Sequence, residues 1–402
     1  MATMELAIVP PLRRSLRSER APDPLREQLA DVIEASACDL LDPERLAARA
    51  EDLRLKERDR VHHVGLIVDA LVLSALQRST DTDGRLLDAR RTYEAIGGRP
   101  SGKTSFRNNV HRVVPLMRDA LRRRLEGMRA ATRDVEMRGR LKAFADVLIP
   151  DGCAFKVASA LSNLYTGTSQ PAELKLHAVY CVRAGGCTSV AMAPGSEHDS
   201  DGFWPAQWIK DALYIWDLGF VSNERFIDAT VAGAYALQRL KSGMNPVVVA
   251  SYGPTGTCRE LCDETGQRLR LEEACAFGHV HHQPVLDLDV EITDDKRRKV
   301  VARVVCVPFG GEDRYYLTTL PRAIFTPHDV AELYRIRWEV ELFFRGWRGA
   351  LRLDEVRRLE HPRSLEAVVL ASLLAAVMAQ QITTGLAQLA AAQAAQEAAF
   401  SP

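Results

Sequence analysis

The pattern of hydrophobic and polar residues changes near residue 140. Before it, apolar residues recur at spacings of three and four, as in "DPERLAARAEDLRLKERDRVHHVGLIVDALVLSALQ", which predicts amphipathic helices. After it come short apolar, partly β-branched runs bounded by Gly, Pro or charged residues, such as "FADVLIPDG", "ELKLHAVYCV" and "ALYIWDLGF". Such runs predict strands of a buried sheet. The segment "SNERFIDATVAGAYALQRL" predicts a helix that leads into a further strand.

Strand signals continue in "NPVVVASYG", "QPVLDLDVEI" and "KVVARVVCVPFGGED", and helical periodicity then returns in "TPHDVAELYRIRWEVELFFRGWRGAL". The last residues are rich in Ala and Gln, and we expect them to form a frayed helix or to be disordered. The fold class expected from this pattern is α/β. The expected parts are a helical domain at 1–140, a core at 141–242 and 323–385, a β-rich insertion at 243–322 and a tail at 386–402.

The chain has 402 residues, 47% of them hydrophobic, so it is long enough to bury a substantial core. Its 53 basic and 53 acidic residues balance, so no overall charge attracts it to nucleic acid. The eight Cys are scattered along the chain, which predicts reduced thiols rather than a disulfide framework. The N-terminus lacks a signal-peptide pattern and no apolar run is interpreted as a membrane span, so we expect a cytoplasmic protein without membrane contact.

Positive charge is concentrated in residues 101–140, which contain eleven basic residues and four acidic ones. The overlapping segment "YEAIGGRPSGKTSFRNNVHRVV" has the pattern of a helix, a Gly-containing turn and a Ser-capped second helix. This pattern is typical of a helix-turn-helix, whose second helix enters the major groove of DNA. A solvated basic helix face has the same pattern, so both interpretations stay open. The stretch "GRPSGKTS" lacks the spacing of a phosphate-binding loop.

Two aspartates follow predicted strands. Asp151 comes after "VLIP" and before Gly152, and Asp217 comes after "ALYIW". We expect each of them where a strand leaves the sheet, which is where ligand sites form in α/β folds. An Asp beside a Gly is also typical of an ordinary turn. Asp146 is a poorer candidate because it begins its apolar run instead of ending it.

The stretch "YRIRWEVELFFRGWR", residues 334–348, places four polar residues at helical spacing. At about 100° per residue they fall within about 60° of one another on a single helix. These residues are Tyr334, Arg337, Glu341 and Arg348. The apolar residues expected to face protein are Trp338, Val340, Leu342, Phe344 and Trp347. Taken alone, the polar residues have an ordinary interpretation as a solvated face with Arg–Glu pairs one turn apart.

The combination Tyr-x2-Arg-x3-Glu-x6-Arg, preceded by two Asp and a β-rich segment, resembles the DDE transposases of bacterial insertion sequences. More narrowly, it resembles the family recognised by its YREK signature, over residues from about 144 to 370. Where this chain has "WDLGF", the family usually has Asp-Arg-Gly-Tyr, and where it has Arg348 the family has Lys. The change from Lys to Arg348 keeps the positive charge but replaces the compact ammonium group by a planar guanidinium group.

The resemblance implies an RNase H-like (retroviral-integrase-like) core in which Asp151, Asp217 and Glu341 hold two Mg²⁺ or Mn²⁺ ions. Carboxylate oxygens suit such hard cations, and a pair of ions can activate an attacking oxygen and stabilise a leaving one. The resemblance also implies phosphate contacts near the cleaved DNA end. The residues implied in these contacts are Tyr334, Arg337 and Arg348.

The function implied is transposition, in which DNA is cleaved at the transposon ends and joined to target DNA by strand transfer. The implied partners are transposon-end DNA, target DNA and a second protomer, because two ends are held together in a homodimer. Two alternatives stay open. One is a transposase-derived repressor that binds DNA without catalysis, and the other is an RNase H-like nuclease without strand transfer.

The insertion contains a second candidate site. Cys258, Cys262, Cys275 and His279 follow a C-x3-C-x12-C-x3-H pattern, close to the ligand spacing of structural zinc sites. Spacing of this kind also arises by chance in a chain with eight Cys. The resemblance does not require zinc here, so the sequence leaves zinc binding open.

Overall fold

The computed structural model describes a mixed α/β protein built around one large sheet, which confirms the predicted α/β class. The described residues are 31–32, 42–55, 63–76, 84–133, 135–202, 205, 207–241, 243–253, 258–280, 285–310, 312–351 and 353–400.

Four described helices precede the first strand. They are α1 (Pro43–Asp52), α2 (Val64–Leu76), α3 (Arg85–Ala95) and α4 (Lys103–Ala131). α3 and α4 coincide with the two helices of the predicted helix-turn-helix, but the predicted serine cap is wrong. α4 is preceded by Gly102, which makes no side-chain capping bond. The helix starts at Lys103, so Ser105 already lies inside its first turn.

Ten described strands form a single sheet. They are β1 (Val147–Lys156), β2 (Glu173–Cys181), β3 (Gly186–Pro194), β4 (Leu213–Trp216), β5 (Tyr235–Arg239), β6 (Val247–Tyr252), β7 (Cys258–Arg259), β8 (Leu286–Thr293), β9 (Lys299–Phe309) and β10 (Glu312–Thr318). Their spatial order is β3-β2-β1-β4-β5-β10-β9-β8-β6-β7. The pairs β1/β4 and β4/β5 are parallel, and the other pairs are antiparallel.

The strands predicted for the insertion extend the same sheet as the core strands. β10 lies antiparallel to β5, with Tyr316 opposite Arg239, and β9, β8, β6 and β7 follow outward from it. Backbone pairing is therefore continuous from the core strands into the insertion strands.

Six further helices follow the first strands. They are α5 (Asp199–Gly202), α6 (Asn223–Val231), α7 (Leu271–Val280), α8 (Pro327–Arg335), α9 (Arg337–Leu351) and α10 (Pro362–Phe400). The single helix predicted across residues 334–348 is wrong, because the chain turns at Ile336 between α8 and α9. At this turn the N–H of Ile336 donates to the carbonyl of Leu333, three residues back, at 3.1 Å. This tighter bond interrupts the four-residue repeat of the α-helix.

The two sides of the sheet belong to different cores. Val147 and Ile149 of β1 lie in a core that includes residues of α2, α4, α9 and α10. Leu148 points to the opposite side, into a second core with Tyr214 and Trp216 of β4. Because side chains alternate along a strand, this assignment also determines the side on which the polar residues of β1 and β4 lie.

The segment Pro362–Ala387 of α10 is long and apolar enough to span a membrane, which the sequence-based interpretation overlooked. In the structure 72% of its most apolar window is buried inside the protein, where α10 packs against α2 and α4. Its composition is therefore that of a helix buried on all sides. The residues expected to form a frayed or disordered tail continue this helix to Phe400.

Candidate active site

Two neighbouring parallel strands carry the two aspartates that the sequence singled out. In their register, Val147 pairs with Leu213 and Leu148 with Tyr214. The same offset brings Asp151 level with Asp217, which directly follows the last residue of β4. The predicted position of Asp217 at a strand end is confirmed.

The predicted strand end at Asp151 is wrong, because β1 continues through it to Lys156. On one side of β1, Asp151 stays opposite Ala178 of β2 in the antiparallel pairing. On its other side the pairing with β4 stops at Leu148. Asp151 therefore lies at the point where β1 loses one of its two neighbours, and the Asp-Gly sequence does not mark a turn here.

Side-chain alternation places both aspartates on the same side of the sheet. Asp151 has the parity of Val147 and Ile149, and Asp217 has the parity of Leu213 and Ile215, all four of which lie in the core that includes α9. Within α9, the apolar residues that face this core are Val340, Phe344 and Trp347. The helix that carries Glu341 is thus packed on the side toward which both aspartates point.

Arg337 connects two of the three carboxylates. Its Nη1 lies 2.8 Å from Oε1 of Glu341, and its Nε lies 3.6 Å from Oδ1 of Asp217. The Arg337 side chain is only 10% exposed, whereas that of Asp217 is 41% exposed. Burial alone would lower the pKa of Arg337, but Asp217, Tyr334 and Glu341 raise it above its ordinary value. The guanidinium therefore stays charged and balances both acids.

Asp151 is the most strongly perturbed carboxyl of the site. Burial, with smaller contributions from Asp217 and Asp199, raises its pKa to about 6, although the N–H of Gly152 and the charge of Arg337 oppose the shift. The Gly152 N–H donates to Oδ1 of Asp151 at 2.7 Å. A carboxyl with a raised pKa beside a second acid is typical of functional sites.

Tyr334 is buried beneath the site, with 6% of its surface exposed. Its hydroxyl donates to Oδ1 of Asp217 at 3.4 Å, and its ring packs on Tyr316 of β10 with centroids 5.1 Å apart. Burial and the charge of Asp217 raise the pKa of Tyr334, so its hydroxyl keeps its proton. In this structure Tyr334 contacts the acid rather than the surface.

The apolar residues of α9 are divided between core and surface. Val340, Phe344 and Trp347 are buried as expected, but Trp338 and Leu342 are each 53% exposed, so the expectation for those two is wrong. Trp338 and Leu342 lie on the face of α9 roughly opposite to the three buried residues. Arg348 belongs to α9, but its side chain lies outside the described part of the chain.

A groove of about 1060 Å³ lies next to the backbone of Asp151, on the side of the sheet that carries Leu148 and Tyr214 and opposite to the side toward which the Asp151 carboxylate points. Its lining includes Arg129 at the end of α4 and Lys210 before β4, both exposed, together with Trp208. Trp208 packs edge-on against Tyr214 at 4.8 Å between ring centroids. Cationic and aromatic side chains along a groove are features that suit a nucleic-acid strand.

Asp119, near the middle of α4, is surrounded by three arginines, two of which belong to the predicted basic region. It pairs with Arg49 of α1 at 2.9 Å, with Arg122 at 2.9 Å and with Arg123 at 3.1 Å. The hydrogen bond from Arg49 is the main cause that lowers the pKa of Asp119 to about 2. These arginines are engaged within the protein.

Arg118 of α4 is likewise engaged, because it pairs with Glu366 of α10. Closer to the start of α4, Arg107 and Arg112 are exposed, and Arg112 makes a long 3.5 Å contact with Asn109. The basic region thus has an exposed N-terminal part and a C-terminal part that also holds α4 to its neighbours.

The candidate zinc ligands do not converge in the described part of the chain, where no group of three or more His, Cys, Asp or Glu has the arrangement of a metal site. Cys258 and Cys262 are exposed, and Cys275 is buried. Burial raises the pKa of Cys275, which lies beside Tyr315. The side chain of His279 lies outside the described residues.

The donor chemistry of Asp151, Asp217 and Glu341 fits Mg²⁺ or Mn²⁺, since all three offer hard carboxylate oxygens on one side of the sheet. Their present arrangement is not a closed ligand set, because Glu341 is bound to Arg337. Binding of a metal ion by all three would require Glu341 to exchange its guanidinium partner for the ion.

Sequence-based reasoning missed a polar cluster directly behind Asp151. Asp199 of α5 accepts from Nζ of Lys175 at 3.1 Å, and Nε2 of His177 lies 3.2 Å from Glu197. Two polar residues, Lys175 and His177, on one side of the otherwise apolar strand "ELKLHAVYCV" are the only signal in the sequence for this cluster. Asp146, the other acid considered, accepts from the N–H of Val147 at 2.8 Å at the start of β1.

Comparison with known families gives a match to the transposase DDE domain, whose sequence model covers residues 142–378, more than half of the chain. This range contains both aspartates, α8 and α9.

Similar proteins include transposases of named insertion sequences. The transposase for insertion sequence element IS231B of Bacillus thuringiensis subsp. berliner is 20% identical over 274 residues, which are 58% of this chain and 56% of that protein. The transposase for IS231F of B. thuringiensis subsp. israelensis is 22% identical over 269 residues, covering 56% and 54%. The putative transposase InsL for IS186A of Escherichia coli (strain K12) is 39% identical over 66 residues, covering 16% and 18%. The chain spans about half the length of the IS231 relatives that it matches.

Proposed function

The chain belongs to the transposase DDE domain family, and from this premise we propose that it cleaves DNA at transposon ends and transfers the freed strand into target DNA. Asp151, Asp217 and Glu341 are the proposed ligands of two Mg²⁺ or Mn²⁺ ions. The observation that carries the proposal is the pairing of β1 with β4, which brings Asp151 level with Asp217 beside the helix of Glu341. When bound, the ions supply charge stabilisation at the phosphorus.

The protein's own groups prepare this site. Arg337 keeps Glu341 next to Asp217 through two ion pairs, and the buried hydroxyl of Tyr334 orients the Asp217 carboxylate. Asp151 must lose its proton to act as a ligand. Because its pKa is raised to about 6, the carboxyl is mostly ionised only above about pH 6. Arg337 and Arg348 are proposed to contact DNA phosphates, and Tyr334 to support the site from within.

We also propose an RNase H-like core, supported by the strand order β3-β2-β1-β4-β5 with β1, β4 and β5 parallel. The proposed parts are an all-α DNA-binding domain at 1–140, core segments at 141–242 and 323–385, an insertion at 243–322 and a C-terminal tail at 386–402. The helices α1 to α4 and the exposed basic residues at the start of α4 support a DNA-binding role for the first part.

The proposed partners are transposon-end DNA, target DNA and a second copy of the chain, because joining two ends to one target requires two active sites. The exposed basic residues at the start of α4 support DNA as the ligand. Cytoplasmic action on DNA follows from the same proposal.

The test is a cleavage and strand-transfer assay with DNA that carries the element's own terminal sequences. We expect product with Mg²⁺ or Mn²⁺ and none with a chelator, and Glu341→Gln should bind the DNA but not cleave it. Glu339→Gln is the matched control, since Glu339 is an exposed acid on the same helix. Binding without metal-dependent cleavage by the unaltered protein would support a repressor instead, and cleavage without joining would support a nuclease.

A further inference from the structure

A Lys–Asp pair lies on the side of the sheet opposite to the proposed metal ligands. Lys175 of β2 is 13% exposed, and its Nζ donates to Oδ1 of Asp199 at 3.1 Å and to the carbonyl of Glu197 at 2.5 Å. In the β1/β2 pairing, Lys175 is opposite Ala154. The pair is thus anchored on β2, next to the strand that carries Asp151.

The Asp199 carboxylate reaches from α5 to Gly152 of β1 and to Gly219 in the 3-10 turn that follows β4. A Cβ added to Gly152 would lie 2.5 Å from Oδ1 of Asp199, and one added to Gly219 would lie 3.0 Å from its Oδ2. Gly152 directly follows Asp151, and Gly219 comes two residues after Asp217. One carboxylate therefore lies close to the chain just beyond each of the two aspartates, where a side chain at Gly152 would displace it and one at Gly219 would crowd it.

The neighbouring contacts hold α5 in this position. Gly202, the last residue of α5, lies so close to the His177 ring that a Cβ there would come within 2.2 Å of it. His177 is 4% exposed and stands opposite Gly152 in the pairing of β1 with β2. The short helix is therefore fitted against β2 at its far end as well as at Asp199.

We propose that Asp199, held by Lys175, is a positioning residue that fixes the spacing between Asp151 and Asp217 from behind the sheet. The inference rests on the proposed function, because the spacing of two carboxylates matters most if they share metal ions. Beyond Leu148 no backbone pairing joins β1 to β4, so nothing in that ladder holds the two aspartates level. Asp199 supplies the missing connection through packing against Gly152 and Gly219.

The first test measures Mn²⁺ binding to the full chain without DNA, by calorimetry or by the Mn²⁺ electron paramagnetic resonance signal. Asp199→Asn keeps the shape of the side chain but removes the charge that holds Lys175. We expect it to weaken Mn²⁺ binding by about tenfold to a hundredfold, and to slow cleavage by a similar factor with unchanged affinity for end DNA. Asp201→Asn, which alters an exposed acid of the same short helix, should leave Mn²⁺ binding unchanged.

The second test separates positioning from folding. Gly152→Ala places a methyl group against Asp199 and should weaken Mn²⁺ binding, whereas Gly152→Ala combined with Asp199→Ala should bind no worse than Asp199→Ala alone. Mn²⁺ binding by Asp199→Asn equal to that of the unaltered chain, or strictly additive losses in the double variant, would overturn the inference. If the unaltered chain binds Mn²⁺ but never cleaves DNA, the proposed function fails. The Mn²⁺ affinities of the Asp199 and Gly152 variants then still decide whether Asp199 positions the ligands. If the unaltered chain binds no Mn²⁺, both fail.

Discussion

Arg337 and Glu341 lie one turn apart at the start of α9, with 2.8 Å between Nη1 of the arginine and Oε1 of the glutamate. The same guanidinium approaches Asp217, which directly follows β4. A helix residue and a residue at a strand end are therefore held together through a third, positively charged residue. In the proposed function divalent cations neutralise the same two acids, so Arg337 and a bound metal ion would compete for them.

The first prediction concerns this competition. Arg337→Ala should bind Mn²⁺ about tenfold more tightly than the unaltered chain, because Asp217 and Glu341 no longer have a guanidinium partner. It should nevertheless cleave DNA at least about a hundredfold more slowly, since the carboxylates are no longer oriented and one proposed phosphate ligand is missing. Calorimetry of Mn²⁺ binding and single-turnover cleavage measure the two effects.

Arg337→Lys is the matched variant for this prediction. It keeps the charge but cannot present the planar fork that contacts two carboxylates, so both effects should be smaller. Weaker Mn²⁺ binding by Arg337→Ala would contradict the competition and would indicate that the guanidinium mainly organises the ligands.

The second prediction follows from the raised pKa of Asp151. The folded protein binds this proton with a pKa of about 6, against an ordinary value of 3.8 that applies to the unfolded chain. The folded state therefore holds more protons between these two values, and Asp151 makes the free energy of unfolding decrease as the pH rises through that window. At pH 7, without metal, Asp151→Asn should be more stable than the unaltered protein by about 3 kcal/mol.

Chemical unfolding in the presence of a chelator checks this difference at several pH values. It should shrink toward zero as the pH falls to about 4, where both forms of the side chain are neutral in the folded protein. Asp146→Asn is a useful comparison, because Asp146 is buried but accepts hydrogen bonds from Val147 and the Cys181 thiol. A gain in stability of Asp151→Asn that did not depend on pH would contradict the electrostatic explanation.

The sequence predicts the local features of this site better than the contacts between distant segments of the chain. The strands and helices are local features that periodicity predicted, and the family resemblance singled out the two aspartates and the Tyr-Arg-Glu pattern as a candidate site. The register of β1 against β4, which brings Asp151 level with Asp217, is a pairing between distant segments, and no local pattern specifies it. The sequence predicted the acids of the candidate site without predicting that Asp151 lies inside its strand.

The exposure of two apolar residues of α9 follows from the periodicity of this helix and not from the turn that precedes it. At about 100° per residue, Trp338 and Leu342 lie on the face of α9 roughly opposite to the three buried residues Val340, Phe344 and Trp347, so both are exposed. Asp199 was missed for a different reason. Its importance depends on the absence of side chains at Gly152 and Gly219, and this becomes visible only when the three segments are brought together.

The third prediction concerns Tyr334, which the family resemblance assigns to phosphate contact. Because Tyr334 is buried and its hydroxyl donates to Asp217, Tyr334→Phe should leave the Kd for end DNA within about twofold and slow cleavage by about three- to tenfold, the effect of one weak hydrogen bond. Fluorescence anisotropy and cleavage kinetics separate binding from catalysis. Weaker DNA binding with an unchanged cleavage rate at saturation would instead favour the phosphate contact.

The fourth prediction concerns the two parts of α4. Arg107 and Arg112 are exposed, so replacing both by Ala should weaken DNA binding and reduce the slope of log K against log salt by about one for each phosphate that is no longer neutralised. Arg118 pairs with Glu366 of α10, so Arg118→Ala should mainly lower the thermal stability and leave the salt slope unchanged. Titrations of end DNA at several salt concentrations, together with melting curves, measure both. Equal salt slopes for the unaltered chain and the Arg107/Arg112 double variant would exclude the start of α4 as a DNA-binding surface.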